Sequence, residues 1–225
     1  MAIYCMSDLH GDIDSYRRML KLIEFSDDDQ LYILGDVVDR HPHGVEILLD
    51  IMDRPNIHML WGNHEDMMYR GVVFHDREVW SMWIMNGGGV TRKGLFYRET
   101  AKNRERILAY LRNLSLFYEI EVNGRKFFLV HASAGKDVYD YIWWRPEDGP
   151  APLNEDATVV VGHTPTYHFR DDGNPFTIYS EPGIYYIDCG CGSQHELRQL
   201  GCLRLDDLRE FYIRCVETTV DNGNG

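Results

Sequence analysis

The sequence predicts an α/β protein whose ligand-bearing loops gather at one edge of its sheets. Strand-like and helix-like patterns alternate through the N-terminal half, and short β-branched and aromatic runs dominate the second half. In addition, five apolar runs each stop on a side chain able to hold a metal. Ile3–Met6 runs into Asp8 and His10, Leu31–Leu34 into Asp36, Ile57–Trp61 into Asn63, Phe127–Val130 into His131, and Val159–Val161 into His163. In open α/β sheets, loops at the carboxyl ends of strands are where ligands gather. Carboxylate and amide oxygens converging there with imidazoles, without a thiolate, describe a catalytic metal centre.

The elements follow in order. After the first ligand loop, Tyr16, Met19, Leu20, Leu22 and Ile23 recur with helical spacing and end before Asp27–Asp29, an acidic run that reads as a solvated turn with capping residues. A second strand, a helix from about Gly44 to Met52 and a third strand complete a β-α-β-α-β unit. Right-handed crossovers make its three strands parallel. Residues 65–114 are mostly helical, interrupted by Asn86-Gly87-Gly88-Gly89, which reads as a helix C-cap and turn. A role for its backbone amides beside the site is the functional alternative. Tyr118–Val122, Asn123-Gly124 and Lys126–Val130 predict a hairpin on a type I′ turn. Thr158–Val161, Ile184–Ile187, Cys202–Leu205 and Phe211–Cys215 supply further strands, and residues 132–156 predict a long loop over the ligand-bearing face. Residues 1–220 read as one domain and residues 221–225 as a disordered tail.

Composition narrows the function. Of 225 residues, 44% are hydrophobic and 26% charged, as in an ordinary soluble globular protein. The net charge of −13 argues against a nucleic-acid surface, which needs a basic stripe to neutralise phosphates. It leaves room for one phosphate group, because bound cations and a few arginines reverse the sign locally. Met1–Met6 is too short for a signal-peptide core, and no apolar run approaches the ~20 residues that span a bilayer. The five cysteines, an odd count without a secreted framework's spacing, read as reduced thiols in a cytoplasmic protein.

Taken singly, each ligand has a plain explanation. Asp8-x-His10 could close a strand as an Asx turn, Asn63 could cap a helix, and His131 or His163 could be a hydrogen-bonded loop histidine. The conjunction of five strand ends outweighs these, because turn chemistry does not favour histidine. The blocks Ser7-Asp8-Leu9-His10-Gly11, Gly35-Asp36-Val37-Val38-Asp39-Arg40, Gly62-Asn63-His64-Glu65, His131-Ala132 and Gly162-His163-Thr164 stand in a telling order. They resemble the signatures of phosphoprotein phosphatases within the calcineurin-like metallophosphoesterases. Asn63-His64-Glu65-Asp66-Met67-Met68, Trp144-Arg145, Gly162-His163-Thr164-Pro165 and Tyr186-Ile187-Asp188-Cys189-Gly190 also look like the small phage lambda-type and bacterial serine/threonine phosphatases. The resemblance runs from Ile3 to about Cys215.

It implies a four-layer α/β/β/α sandwich of two mixed sheets flanked by helices, compatible with the strand pattern. It also implies a two-metal phosphatase acting on phosphoserine and phosphothreonine in proteins, with some phosphotyrosine activity. By the resemblance, Asp8 and His10 hold the first metal, Asp36 bridges both, and Asn63, His131 and His163 complete the second. A shared carboxylate lets two dications sit ~3.5–4 Å apart and lower the pKa of one bound water towards ~7 for in-line attack on phosphorus. His64 is the expected general acid, with Asp39 orienting it and keeping it charged. Arg40 and Arg145, with Asn63, are candidates to bind the phosphate. The histidine ligands and the family both point to two manganese ions, with iron or zinc as alternatives. Magnesium fits less well because it prefers all-oxygen shells. The expected partners are phosphorylated proteins or peptides, with no nucleic acid and no membrane.

Some positions depart from the family pattern. Ser7 and His41 each stand where the family usually has glycine. His41 and His43 read as loop residues, with a substrate contact as the minority reading. Pro165 stands where many related phosphodiesterases carry a second ligand histidine, which favours the phosphatase branch. Diadenosine tetraphosphate hydrolases, the nearest look-alikes, typically lack the pair seen at Asp39 and Arg40. Hydrolysis of diadenosine polyphosphates, or of other nucleotides or phosphodiesters, is the first alternative, and a catalytically retired scaffold the second. Cys189-x-Cys191 is a weak zinc signal, and alternation would place both thiols on one buried strand face. Trp143 and Trp144 could flank a cleft or cover the core edge under a loop.

Overall fold

The structure, a computed structural model, describes residues 1–170 and 173–215. The tail expected at 221–225 lies outside the described residues. Strands β1 (Ile3–Met6), β2 (Gln30–Ile33) and β3 (Ile57–Met59) alternate with helices α1 (Ile13–Leu22) and α2 (Gly44–Met52). Next come α3 (Asn63–Val73), α4 (Arg77–Trp83), α5 (Gly89–Lys93) and α6 (Ala101–Arg112), with wider π-type turns at Ile84–Gly88 and Gly94–Arg98. The second half carries β4 (Phe117–Val122), β5 (Arg125–Val130), α7 (Val138–Trp143), β6 (Thr158–Val161), β7 (Tyr179–Glu181), β8 (Ile184–Tyr186), β9 (Gln199–Arg204) and β10 (Arg209–Arg214).

Two mixed five-stranded sheets result, in the orders β10-β9-β1-β2-β3 and β4-β5-β6-β8-β7. Within them β1, β2 and β3 are mutually parallel, as are β5, β6 and β8. Strand alternation sorts their side chains. Cys5, Leu34 and Leu60 from the first sheet meet Phe127, Leu129, Val160 and Ile187 from the second in one inter-sheet core. Tyr4 and Met6 point the other way, into the core shared with α1, α2 and α3, and Phe128, Val130 and Val159 form a third cluster behind the second sheet. Each fully buried Leu or Phe stabilises this sandwich by roughly 1.5–3 kcal/mol. Among the described residues no helix is long and apolar enough to cross a membrane.

The predicted β-α-β-α-β unit, the Gly44–Met52 helix and the hairpin are all present. Asn123 and Gly124 take φ of 52° and 76°, as a type I′ turn demands. Several expectations need correction. The stretch 132–156 is not all loop: it contains α7, N-capped by Asp137, and a 3₁₀ turn at Pro146–Asp148. Six residues with one buried side chain, Ile142, are too few to register as a period. The three-residue edge strand β7 escaped notice for the same reason. Leu22 is exposed, not part of the helix's buried face. Asp29 is buried, its carboxylate accepting from Ala2 N at 2.7 Å and from Ser26 N and Oγ at 3.0 and 2.8 Å, so the acidic turn clamps the start of β1. Cys189 and Cys191 lie beyond β8 and face different cores, Cys189 between the sheets and Cys191 on the α1 side.

Candidate metal centre

Parallel pairing brings the ends of β1, β2, β3, β5 and β6 to one edge, and all six predicted ligands meet there. Asp8, His10, Asp36, Asn63, His131 and His163 are each 5% exposed or less, a degree of burial unusual for charged groups without partners. Asp36 sits at the middle. Its Oδ1 lies 3.5 Å from His131 Nε2, and its Oδ2 lies 3.7 Å from His10 Nε2. Asp8 Oδ1 approaches His10 Nε2 at 3.8 Å, while Asp8 Oδ2 accepts from His163 N at 2.9 Å and from the Ser7 hydroxyl. Asn63 is the first residue of α3, and Gly62, not Asn63, occupies the cap. The Asn63 side chain instead aims Oδ1 at His131 Nε2 (3.1 Å) and His163 Nδ1 (3.0 Å).

The donors suit two divalent cations sharing Asp36. Two adjacent ligands about 2.1 Å from one ion stand about 3 Å apart, close to the separations around Asn63 Oδ1. Two groups of potential ligand atoms share Asp36: one with His131 and His163, the other with His10 and His64. Burial, Arg40 and His64 push His10 well below its ordinary pKa, and burial, His131 and Arg145 do the same to His163. Both imidazoles are therefore held neutral, the form that coordinates a metal. Burial alone would raise the Asp36 carboxyl, but the charge of His131 and His64 beside it outweighs burial and keeps the group well below the usual carboxylate range.

The backbone is strained where this happens. Asp8, His10, Asp36, Asp39, Arg40 and His163 all have positive φ, between 45° and 73°. Each such residue costs on the order of 1 kcal/mol or more, and persists because its surroundings over-determine it. His41, which stands where a glycine was expected, is not among the positive-φ residues. The left-handed turn falls on Asp39 and Arg40, so the imidazole at 41 is accommodated, and His41 Nδ1 and N both contact the His10 carbonyl at 3.0 Å. Close approach also demands glycine at 162. A Cβ there would lie 1.9 Å from Ser7 Oγ and 2.4 Å from Asp8 Oδ2.

His64 stands beside the centre, buried, with Nδ1 2.7 Å from Asp39 Oδ2 and Nε2 3.9 Å from Asp36 Oδ2. Burial opposes its charge, but Asp36 and Asp39 outweigh burial and raise its pKa. An Arg40 guanidinium nitrogen lies 3.3 Å from His64 Nε2, and another donates to the Gly192 carbonyl at 3.4 Å. Arg40 is exposed and borders an open cleft of about 450 Å³ with His41, Met85, Asn86, Gly87 and Gly192. The glycine run forms a turn, as its plain reading expects, and it meets the cleft through a carbonyl, not through its amides: the Gly87 carbonyl accepts from Arg40 N at 3.2 Å. Arg145 is exposed on the 3₁₀ turn, near enough that its charge acts on His163. Trp144 is buried, and Trp143 packs against the α1 core.

Three participants were not assigned from sequence. The buried Glu65 carboxylate accepts from Asp36 N (2.8 Å), Val37 N (2.9 Å), Val38 N (3.2 Å) and Gly62 N (3.2 Å), holding two ligand loops together. Its place beside His64 in Gly62-Asn63-His64-Glu65 was the available signal. Trp83 and Thr91, which donate to Asp39 Oδ1 and receive Asp39 N, had no local signal at all.

The family model described as calcineurin-like phosphoesterase matches residues 1–190. Among curated proteins, the symmetrical bis(5'-nucleosyl)-tetraphosphatase of Acidovorax ebreus is 31% identical over 134 residues, covering 59% of this chain and 44% of that protein. Serine/threonine-protein phosphatase 2 of Salmonella typhimurium is 28% identical over 144 residues, covering 62% of each. The match thus spans less than two thirds of either relative. A solved structure described as a candidate diadenosine tetraphosphatase shares the fold with a TM-score of 0.67 at 15% identity, over 96% of this chain and 94% of its own.

Proposed function

The chain belongs to the calcineurin-like phosphoesterase family, and from that premise we propose that it hydrolyses phosphoserine and phosphothreonine monoesters in proteins. Asp8, His10 and Asp36 would hold one divalent cation, and Asp36, Asn63, His131 and His163 the other, manganese fitting the mixed donors. When bound, such a pair supplies Lewis acidity, which activates water and neutralises phosphoryl charge. The protein's own residues do the rest. Arg40 turns its fork from His64 and Gly192 to the phosphoryl oxygens, and Arg145, near enough for its charge to act on His163, adds a second guanidinium. As the P–O bond to the serine or threonine oxygen breaks, His64 gives its Nε2 proton to the departing alkoxide. Asp39 holds the opposite nitrogen, so the ring cannot turn away and its charged form stays favoured.

The Asp39–His64 hydrogen bond of 2.7 Å carries the choice of substrate. An alkoxide is strongly basic and leaves only with a proton, whereas a nucleotide phosphate leaves without help. A buried imidazole with a dedicated carboxylate therefore favours the ester. Dinucleoside tetraphosphate hydrolysis is the second reading, favoured by the name and 31% identity of the Acidovorax relative. Turnover of a phosphoserine peptide, 4-nitrophenyl phosphate and diadenosine tetraphosphate with manganese separates the two. The phosphopeptide is expected to give the highest kcat/KM; preference for the dinucleotide would defeat the proposal.

A further inference from the structure

We propose that Cys191 and Cys215 are a peroxide-sensitive thiol pair whose closure into a disulfide disturbs the turn that backs His10. Cys191 lies in the turn after β8 and Cys215 just beyond β10, yet their sulfurs are 3.3 Å apart and both side chains are buried. A disulfide needs about 2.05 Å, so the sulfurs must close by roughly 1.3 Å. Cys5, Cys189 and Cys202 are free and buried, and among the described residues no sulfur contact joins them to this pair.

The turn is in direct contact with the proposed metal centre. Cys191 Sγ sits 3.7 Å from the Leu9 carbonyl and 3.9 Å from Asp12 Oδ2, the loop that carries His10. Gly192 packs on the His10 ring so closely that a Cβ would fall 2.0 Å from Cδ2. The Gly192 carbonyl also receives Arg40. Drawing Cys191 towards β10 therefore moves the support of one proposed ligand and one proposed phosphate-binding arginine together.

Burial admits only a small oxidant. The thiol contact and the Ser15 hydroxyl hold Cys215 below its ordinary pKa, and the same contact, with burial, raises Cys191. With the proton shared across the 3.3 Å sulfur contact, Cys215 can act as the nucleophile. Its sulfur attacks one oxygen of hydrogen peroxide, the O–O bond breaks, and the leaving hydroxide takes a proton to become water. The Cys191 sulfur then attacks the Cys215 sulfenic acid, the S–O bond breaks, and the departing hydroxide takes the second thiol proton. Two thiols and one peroxide become one disulfide and two waters, with two electrons passing to the peroxide.

The covalent step stands apart from the phosphatase reading; its effect on turnover rests on it. The test uses the full manganese-loaded chain, treated with hydrogen peroxide and then alkylated. Peptide mass mapping should find Cys191 joined to Cys215, with the other three cysteines still alkylatable after unfolding. Manganese affinity by calorimetry and turnover of 4-nitrophenyl phosphate should each fall at least threefold and recover with dithiothreitol. Cys215→Ser and Cys215→Ala should keep the reduced protein's values and resist peroxide. Free thiols at 191 and 215 after oxidation, zinc held by them in place of a cross-link, or equal losses in parent and variants would overturn the proposal. A cross-link that leaves manganese affinity unchanged would overturn the coupling, even if no substrate is turned over.

Discussion

Asp39 Oδ2 lies 2.7 Å from His64 Nδ1, and both oxygens of that carboxylate face the Trp83 indole N–H at 2.9 Å. The indole leaves Asp39 no freedom to swing from the imidazole. The carboxylate is wholly buried between His64 and Trp83, and Thr91 Oγ1 accepts from the Asp39 backbone N–H at 2.8 Å, so the residue acts as a positioning device whose partners at 83 and 91 no local pattern connects to it.

Removing the proposed acid, in His64→Asn, is expected to slow phosphopeptide turnover by about 10²–10⁴-fold. Metal content should stay unchanged. The loss should be much smaller with 4-nitrophenyl phosphate, whose leaving group needs no proton. Equal losses on both substrates would place His64 among the ligands instead, since its Nε2 lies within the group around Asp36.

Trp83→Phe keeps most of the ring volume but leaves Asp39 short of a donor. A buried hydrogen bond to a charged group is worth about 1.5–3 kcal/mol, and denaturant unfolding should show a loss of that order. A kcat reduced less than in His64→Asn, at unchanged KM, would accompany it.

Glu65→Gln turns an amide N–H₂ towards backbone donors that now meet carboxylate oxygens. Because Glu65 joins the Asp36–Val38 loop to Gly62, the variant should lose on the order of 2–4 kcal/mol of stability. Manganese affinity measured by calorimetry should fall as well. Normal affinity in a destabilised variant would confine Glu65 to folding.

Asp36→Asn should weaken both cations together, read as bound manganese per chain across a titration. Retention of one equivalent at parental affinity would contradict a bridging role.

Asp29 yields a pH signature away from the metal centre. Burial opposes ionisation, but hydrogen bonds from Ala2 and Ser26 hold its carboxyl below the ordinary value. A group depressed on folding contributes stability above its unfolded pKa, near ~3.9. That contribution fades as pH falls through the lower folded value. Asp29→Asn should therefore narrow the stability gap with the parent as the pH drops below 4, and an unchanged gap would show that the clamp does not depend on charge.

The strand ends, the parallel β-α-β-α-β unit and the six proposed ligands were legible in the sequence because each rests on local signals: an apolar run, a turn and a donor side chain within a few residues. α7 and β7 were not, being too short to display a period. The supporting groups were also out of reach. Glu65 binds backbone amides nearly thirty residues away, at Asp36 and Val37, and Trp83 reaches Asp39 over 44 positions. Cys189 and Cys191 show the reverse error, since neighbours in sequence face different cores while Cys191 meets Cys215. What the chain determined by itself was which donors stand at strand ends, because short-range periodicity and turn chemistry are written residue by residue. Which indole and hydroxyl hold Asp39, and which thiols touch, was decided only by the packed chain, because such pairings depend on distances that tertiary packing sets and sequence separation does not.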